Sequence, residues 1–404
     1  MNILLISRCP PYPLHLGDRL IPYHLAEQLS QRHSLDLLAF YMLHDDPDNV
    51  DHYAHLFRSI KLIPERPRTP LTLMRRLLNP RGIFPRRSQE SWSPPMWQAI
   101  CDQLSQTHYD VVQLFGGIQV YEYRSLLRGL PTVITPYESY TLYLSRLLAQ
   151  QESAARRLAV WMQRIAASGY ERAMFNDYGA TVVLTETDRA ALARLNPALP
   201  LHVIPNGIDL AYFTPEGDSA AEPALLFVGN YEYEPNLDAA LYLSHDIFPL
   251  IRREVPAARL WLVGNNPPEA LRALAAPDVI VTGHVPDVRA YFQRATAFIS
   301  PLRMGAGIKN KMLEAMAMGK ALVATPISGE GIGLSGGTNV LFGNTPEELA
   351  QAAIRLLRDP DLRTRMGKAN RAIIEESFTW EAVGRQYEAL YEAVRPESRS
   401  ALRR

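Results

Sequence analysis

Strand-length apolar runs alternate with helix-period segments from one end of this 404-residue chain to the other, and few folds accept that pattern. Asn2–Ser7, Ser34–Tyr41, Tyr109–Leu114, Thr132–Thr135 and Thr181–Leu184 read as strands. Helical patterns lie at Tyr23–Arg32 and over the long region Gln151–Tyr178. Strands separated by helices predict parallel sheets covered on both faces. A second series follows at Leu201–Ile204, Leu225–Gly229, Arg259–Gly264, Val279–Thr282, Ala297–Ser300 and Ala321–Thr325, each closing near Gly, Pro, Ser or Thr. The length suits two α/β domains. The expected layout is a first domain over 1–200, a second over 201–377, and a C-terminal helix that starts near 378 and crosses back to the first domain. In that helix Val383, Tyr387, Leu390 and Tyr391 share one face, and a frayed tail runs to 404.

Acidic and basic residues are equal in number, 42 each, which argues against a general nucleic-acid binder. Cys9 and Cys101 match no metal spacing and point to a reducing compartment, each read as a small buried residue. Met1–Ser7 lacks a basic start and is too short for a secretory leader, and no run is long enough to span a bilayer. A cytoplasmic protein is expected, at the inner face of the membrane if it touches one.

The segment from Ser300 to Gly319 carries the most chemistry. It reads as strand end, glycine loop (Gly305, Ala306, Gly307, Ile308), basic pair (Lys309, Lys311) and helix start, with Glu314 inside the helix. A helix N-terminus carries partial positive charge, and glycine lets an anion approach its amides. The two lysines add full charge. Glu314 can accept hydrogen bonds from two hydroxyls, as a ribose offers. The pattern fits a nucleotide diphosphate carrying a transferable group. A purely structural helix, opened by one glycine and closed by Gly319, fits the same residues.

The blocks Val203-Ile204-Pro205-Asn206-Gly207-Ile208-Asp209, Leu226-Phe227-Val228-Gly229, Leu262-Val263-Gly264, Val281-Thr282-Gly283-His284 and Leu313-Glu314-Ala315-Met316-Ala317-Met318-Gly319 stand in one order along the chain. Together they resemble the retaining glycosyltransferases of family 4 (group 1). Gly229-Asn230-Tyr231 with Glu234-Pro235-Asn236, and the run Gly305–Lys311, resemble the sugar transferases associated with exopolysaccharide and PEP-CTERM/exosortase systems. The resemblance implies the GT-B fold, two Rossmann-like α/β domains with parallel sheets facing across a cleft. It implies transfer of a sugar from a nucleotide diphosphate sugar to a glycan or lipid-linked acceptor, without a metal or other cofactor. Gly17 and the loop around Arg19 would face the donor, Glu138 would lie near the reacting sugar, and Gly229, Asn230, Gly264 and His284 would line the nucleotide site.

Two departures from the family pattern stand out. The first of a glutamate pair spaced by seven residues is here Ala306, with Glu314 as the second. The basic pair that many members place after the first C-terminal strand is replaced by Asn230-Tyr231-Glu232. Arg303, Lys309 and Lys311 are the expected substitutes, because charge developing on a leaving diphosphate must be neutralised.

Seven arginines and interleaved leucines between 61 and 87 suit an anionic membrane surface or a lipid diphosphate, and the helical stretch with Trp161 and Met162 suits the same partner. A solvated loop also fits the first of these. An epimerase of nucleotide sugars on the same fold, or a non-catalytic sugar-binding scaffold, are the competing functions. No Gly-x-Gly-x-x-Gly fingerprint follows the first strand, which speaks against a dinucleotide dehydrogenase.

Overall fold

The structure is a computed structural model that describes residues 1–14, 17–42, 47–65, 85–215 and 223–395. It divides into two compact units, Met1–Gly207 with Trp380–Arg404, and Ile208–Thr379. The sequence reading put the junction at 200/201.

The first unit holds a seven-stranded sheet in the order β3-β2-β1-β4-β5-β6-β7. Its strands are β1 (Asn2–Ser7), β2 (Ser34–Tyr41), β3 (Ser59–Pro64), β4 (Val111–Phe115), β5 (Thr132–Tyr137), β6 (Ala180–Val183) and β7 (Leu201–Val203). Every neighbouring pair is parallel. β4 is buried throughout and β1 from Ile3 onward, as continuous apolar runs require when helices cover both faces. β3 was not expected. Its sequence Ser-Ile-Lys-Leu-Ile-Pro carries a lysine at its centre, and it lies at the sheet edge, where one side needs no apolar cover. The long helical region expected over Gln151–Tyr178 forms one helix, Ala154–Met174, and a separate helix, Tyr140–Gln150, precedes it.

The C-terminal helix Trp380–Val394 belongs to this first unit. Trp380, Val383, Tyr387, Leu390, Tyr391 and Val394 are buried at helical spacing. Burying one large apolar side chain stabilises by about 1.5–3 kcal/mol, so the helix is a substantial part of this core. Two of its tyrosines reach the sheet. Tyr391 donates to Gln113 Oε1 at 3.0 Å, and the Tyr387 hydroxyl lies 3.2 Å from Thr135 Oγ1. Gln113 donates in turn to Thr135 at 3.0 Å, closing a buried polar chain between strands β4 and β5 and the helix. Gly384 is required because a Cβ there would stand 2.8 Å from Gln28 of helix Gly17–Leu29.

The second unit holds a six-stranded parallel sheet in the order β10-β9-β8-β11-β12-β13. These are β8 (Ala224–Val228), β9 (Arg259–Val263), β10 (Val279–Val281), β11 (Ala297–Ser300), β12 (Leu322–Ala324) and β13 (Leu341–Phe342). Chain order runs outward from β8 to β10 on one side, then restarts at β11 on the other. Such a reversal leaves a crevice beyond the carboxyl ends of β8 and β11, where open α/β sheets bind ligands. The first sheet reverses in the same way between β1 and β4.

Candidate functional site

Three strand ends of the second unit are tied together where its sheet reverses. Gly229 N–H donates to Val263 at 3.0 Å, and Tyr231 N–H to the Asn265 carbonyl at 3.0 Å. Gly264 adopts φ +148°, and a Cβ there would stand 1.8 Å from the Gly229 carbonyl oxygen. Only glycine allows that approach. Gly264 N–H donates to Thr282 Oγ1 at 3.2 Å, and His284 Nδ1 lies 2.9 Å from Asn265 Oδ1. Gly229, Gly264 and His284 are thus brought to one edge.

Asn230 joins this edge to the next helix, Glu234–Tyr242, because Asn236 Nδ2 donates to its carbonyl at 2.8 Å.

The loop after β11 supplies the second half. Thr325 Oγ1 donates to the Leu302 carbonyl at 2.5 Å, and Ser328 Oγ to that of Ser300 at 2.6 Å, which fixes the loop's base. Gly305 and Gly307 have φ of 120° and 67°, a region open to glycine at little cost. Ala306 and Ile308 are buried. The chain then enters helix Asn310–Ala317, with Lys309 at its N-cap.

The three cations of this loop are held differently. Arg303 forms a two-pronged pair with Asp238, at 3.0 and 2.5 Å, and its guanidinium lies 4.4 Å over the Tyr242 ring. Much of its charge is therefore answered within the protein. Lys309 is 8% exposed and bonds the carbonyls of Ala306 and Gly307 at 3.0 and 2.5 Å. Lys311 donates to Asn236 Oδ1 and lies 5.0 Å over the Phe227 ring. Burial lowers the Lys311 ammonium to about 7, Lys309 pushes the same way, and Glu314 opposes. Burial likewise raises the Glu314 carboxyl to about 7 against the pull of Lys311. A site with two poorly solvated groups poised to change charge near neutrality is what an incoming diphosphate can use.

In the first unit, Gly17 opens helix Gly17–Leu29 and is exposed. Arg19 is buried, with its guanidinium on the Tyr12 carbonyl. Asp18 accepts Arg8 at 3.1 Å and the Cys9 thiol at 3.5 Å, and the Tyr137 hydroxyl donates to the Asp18 carbonyl at 3.0 Å. Tyr137 holds φ 71°, the left-handed region, immediately before Glu138. Glu138 does not cap the helix that follows. Ser139 is its N-cap, and the buried Glu171 accepts the amides of Tyr140 and Thr141 at 2.6 and 3.3 Å. Burial raises the Glu171 carboxyl, and the hydrogen bonds from the Tyr140 and Thr141 amides and from Ser139 Oγ pull it back.

Asp238 and Tyr242 are absent from the sequence reading, and Asn236 enters it only within the Glu234-Pro235-Asn236 block, with no cation assigned to it. Each acts on a cation 61 to 75 residues away, a separation no local pattern reports. Among the described residues, no group of three or more His, Cys, Asp or Glu side chains could hold a metal ion. No described helix is long and apolar enough to cross a membrane. Most of the basic stretch 61–87 lies outside the described residues.

The Glycosyltransferase Family 4 model matches residues 22–212, and the model for glycosyl transferases group 1 matches 222–359. The chain is 30% identical over 105 residues to an uncharacterised glycosyltransferase of Methanocaldococcus jannaschii, covering 26% of this chain and 27% of that protein. It is 25% identical over 314 residues to a GDP-mannose-dependent alpha-(1-6)-phosphatidylinositol monomannoside mannosyltransferase of Mycobacterium tuberculosis, covering 64% of this chain and 80% of that one. Its fold is similar to sucrose-phosphate synthase from Thermosynechococcus elongatus, with a TM-score of 0.73 at 20% identity over 97% of this chain and 98% of the other. Two matched family models and this likeness of fold make the chain a glycosyltransferase family 4-like protein with the GT-B fold.

Proposed function

We propose that the chain transfers a sugar from a nucleotide diphosphate sugar to a glycan or lipid-linked acceptor, with retention at the anomeric carbon and without a metal. The carrying observation is the loop after β11, which brings Gly305, Gly307, Lys309 and Lys311 to the start of a helix at the reversal of the sheet. The loop amides and the two lysines would hold the diphosphate, and Glu314 would take the ribose hydroxyls. Gly229, Asn230, Gly264 and His284 would line the nucleotide. Arg303, paired with Asp238, would hold the loop in place and lend a smaller share of charge.

Transfer breaks the bond from the anomeric carbon to the phosphate oxygen, and the electron pair leaves on the diphosphate. The acceptor oxygen bonds to the same face of that carbon and gives its proton to the departing phosphate. No protein nucleophile is needed, so catalysis consists of positioning the two substrates and stabilising the leaving group. Glu138 would orient a hydroxyl near the reacting carbon, with Gly17 allowing close approach of the donor.

The product belongs to polysaccharide or glycolipid assembly, with exopolysaccharide as the narrower reading. The acceptor lies at the inner face of a membrane, which the arginines between 61 and 87 would contact in the cytoplasm. GDP-mannose is the first donor to try, because one relative is named for it. The buried Ala306 leaves the sugar without the usual carboxylate, which favours a different sugar.

The test is nucleotide release from UDP-, GDP- and ADP-sugars with and without membrane-extract acceptors. Release that requires acceptor and disappears in Lys311→Ala and Glu314→Ala is expected. Donor isomerised without acceptor would make the protein an epimerase, and donor binding without turnover would make it a scaffold.

A further inference from the structure

We propose that the outward face of helix Ala154–Met174 docks on an anionic membrane surface. The helix packs inward through Val160, Ala167, Glu171 and Met174. Leu158, Trp161, Met162 and Ile165 are 56%, 45%, 54% and 47% exposed. Their spacing of three, four and seven residues puts them in one stripe. At about 100° per residue, that stripe points away from Val160 and Ala167, toward solvent. A protein whose surface met only water would gain nothing from lining up four large apolar side chains.

The charges beside the stripe identify the partner. Arg157 and Arg172 are exposed, and Arg164 is half-buried. The one acidic residue of the helix, Glu171, is buried on Ser139, Tyr140 and Thr141 and contributes nothing to this face. The outer face is therefore apolar and positive. Apolar side chains with a tryptophan enter the headgroup boundary, and arginines pair with anionic headgroups. A membrane at this helix would bring the first unit to a lipid-linked acceptor. The inference bears on that acceptor reading, and its test is separate, since vesicle binding can fail with sugar transfer intact, and the reverse.

Trp161 makes the test direct. All five tryptophans lie among the described residues, and Trp92, Trp97, Trp261 and Trp380 are buried. The full chain is mixed with vesicles of phosphatidylglycerol and phosphatidylcholine, or of phosphatidylcholine alone, and followed by sedimentation and tryptophan emission. Binding to the anionic vesicles, with a blue shift that Trp161→Phe removes, is expected. Leu158→Glu with Ile165→Glu, and separately Arg157→Glu with Arg172→Glu, should each weaken binding at least tenfold while circular dichroism stays unchanged. Equal binding to both vesicle types, or no shift of Trp161 in the native protein, overturns the proposal. So does a dimer in vesicle-free solution that Leu158→Glu with Ile165→Glu dissociates, which would assign the stripe to a second copy.

Discussion

The ammonium of Lys311 hydrogen-bonds the side-chain oxygen of Asn236, 75 residues earlier in the chain. That single bond joins the helix after β11 to the helix after β8, on either side of the reversal in the second sheet. Asn236 also holds the Asn230 carbonyl at 2.8 Å, so one amide positions both a cation and a loop. Asn236→Ala should leave Lys311 charged yet misplaced. We expect a ~10-fold rise in the donor dissociation constant, near the cost of one lost charge-assisted hydrogen bond. Calorimetry with UDP and GDP measures it, and an unchanged constant would remove Asn236 from the site.

Donor affinity should depend on pH with a definite sign. Free Lys311 loses its proton near 7, and a bound diphosphate would hold that proton in place. Binding above pH 7 must then take up a proton, so affinity falls by up to ~10-fold per pH unit. Lys311→Arg keeps its charge throughout and should flatten the slope between pH 7 and 9. Equal slopes in the two proteins would sink this account.

The same lysine should cost the free protein stability. Its folded pKa lies below its unfolded value, so the burial penalty is fully present below pH 7 and is relieved as pH rises toward the unfolded value. Lys311→Met should therefore stabilise the unliganded chain at pH 6 by at least about 1 kcal/mol, since one pKa unit is worth about 1.4 kcal/mol. The gain should shrink by pH 9. Denaturant unfolding at the two pH values checks it, and a loss of stability at pH 6 would contradict it.

Two glycines at the same edge should behave in opposite ways. Gly264→Ala drives a Cβ to 1.8 Å from the Gly229 carbonyl oxygen at φ +148°. A loss of more than about 3 kcal/mol, or no folded protein, is expected. A Cβ at Gly283 meets nothing within 4 Å. Gly283→Ala should stay within about 0.5 kcal/mol of the native chain. Thermal unfolding of both variants decides the matter.

Strand positions were legible because the sheets are parallel and buried, which leaves long apolar runs such as Asn2–Ser7 and Ala297–Ser300 with sharp ends. β3 was not, because its central lysine broke the run at an edge that tolerates charge, and β13 is only two residues long. The helix Gly17–Leu29 begins six residues before the expected Tyr23 and carries Pro22 in its interior, where proline forfeits one helical hydrogen bond and reads in a sequence as a helix boundary. At the candidate site, the glycines and lysines were visible as a local pattern. Their partners were not: Asp238 on Arg303, Asn236 on Lys311 and Glu171 on the helix after Ser139 all arrive through the fold.

Because Trp380–Val394 completes the core begun by the first 207 residues, the ribosome delivers that unit in two instalments. The intervening unit, Ile208–Thr379, is contiguous and can finish folding while the earlier one still waits for its last helix. Translation that stops before residue 380 would leave Gln113 and Thr135 without the tyrosines that cover them, a nascent surface for chaperones to hold.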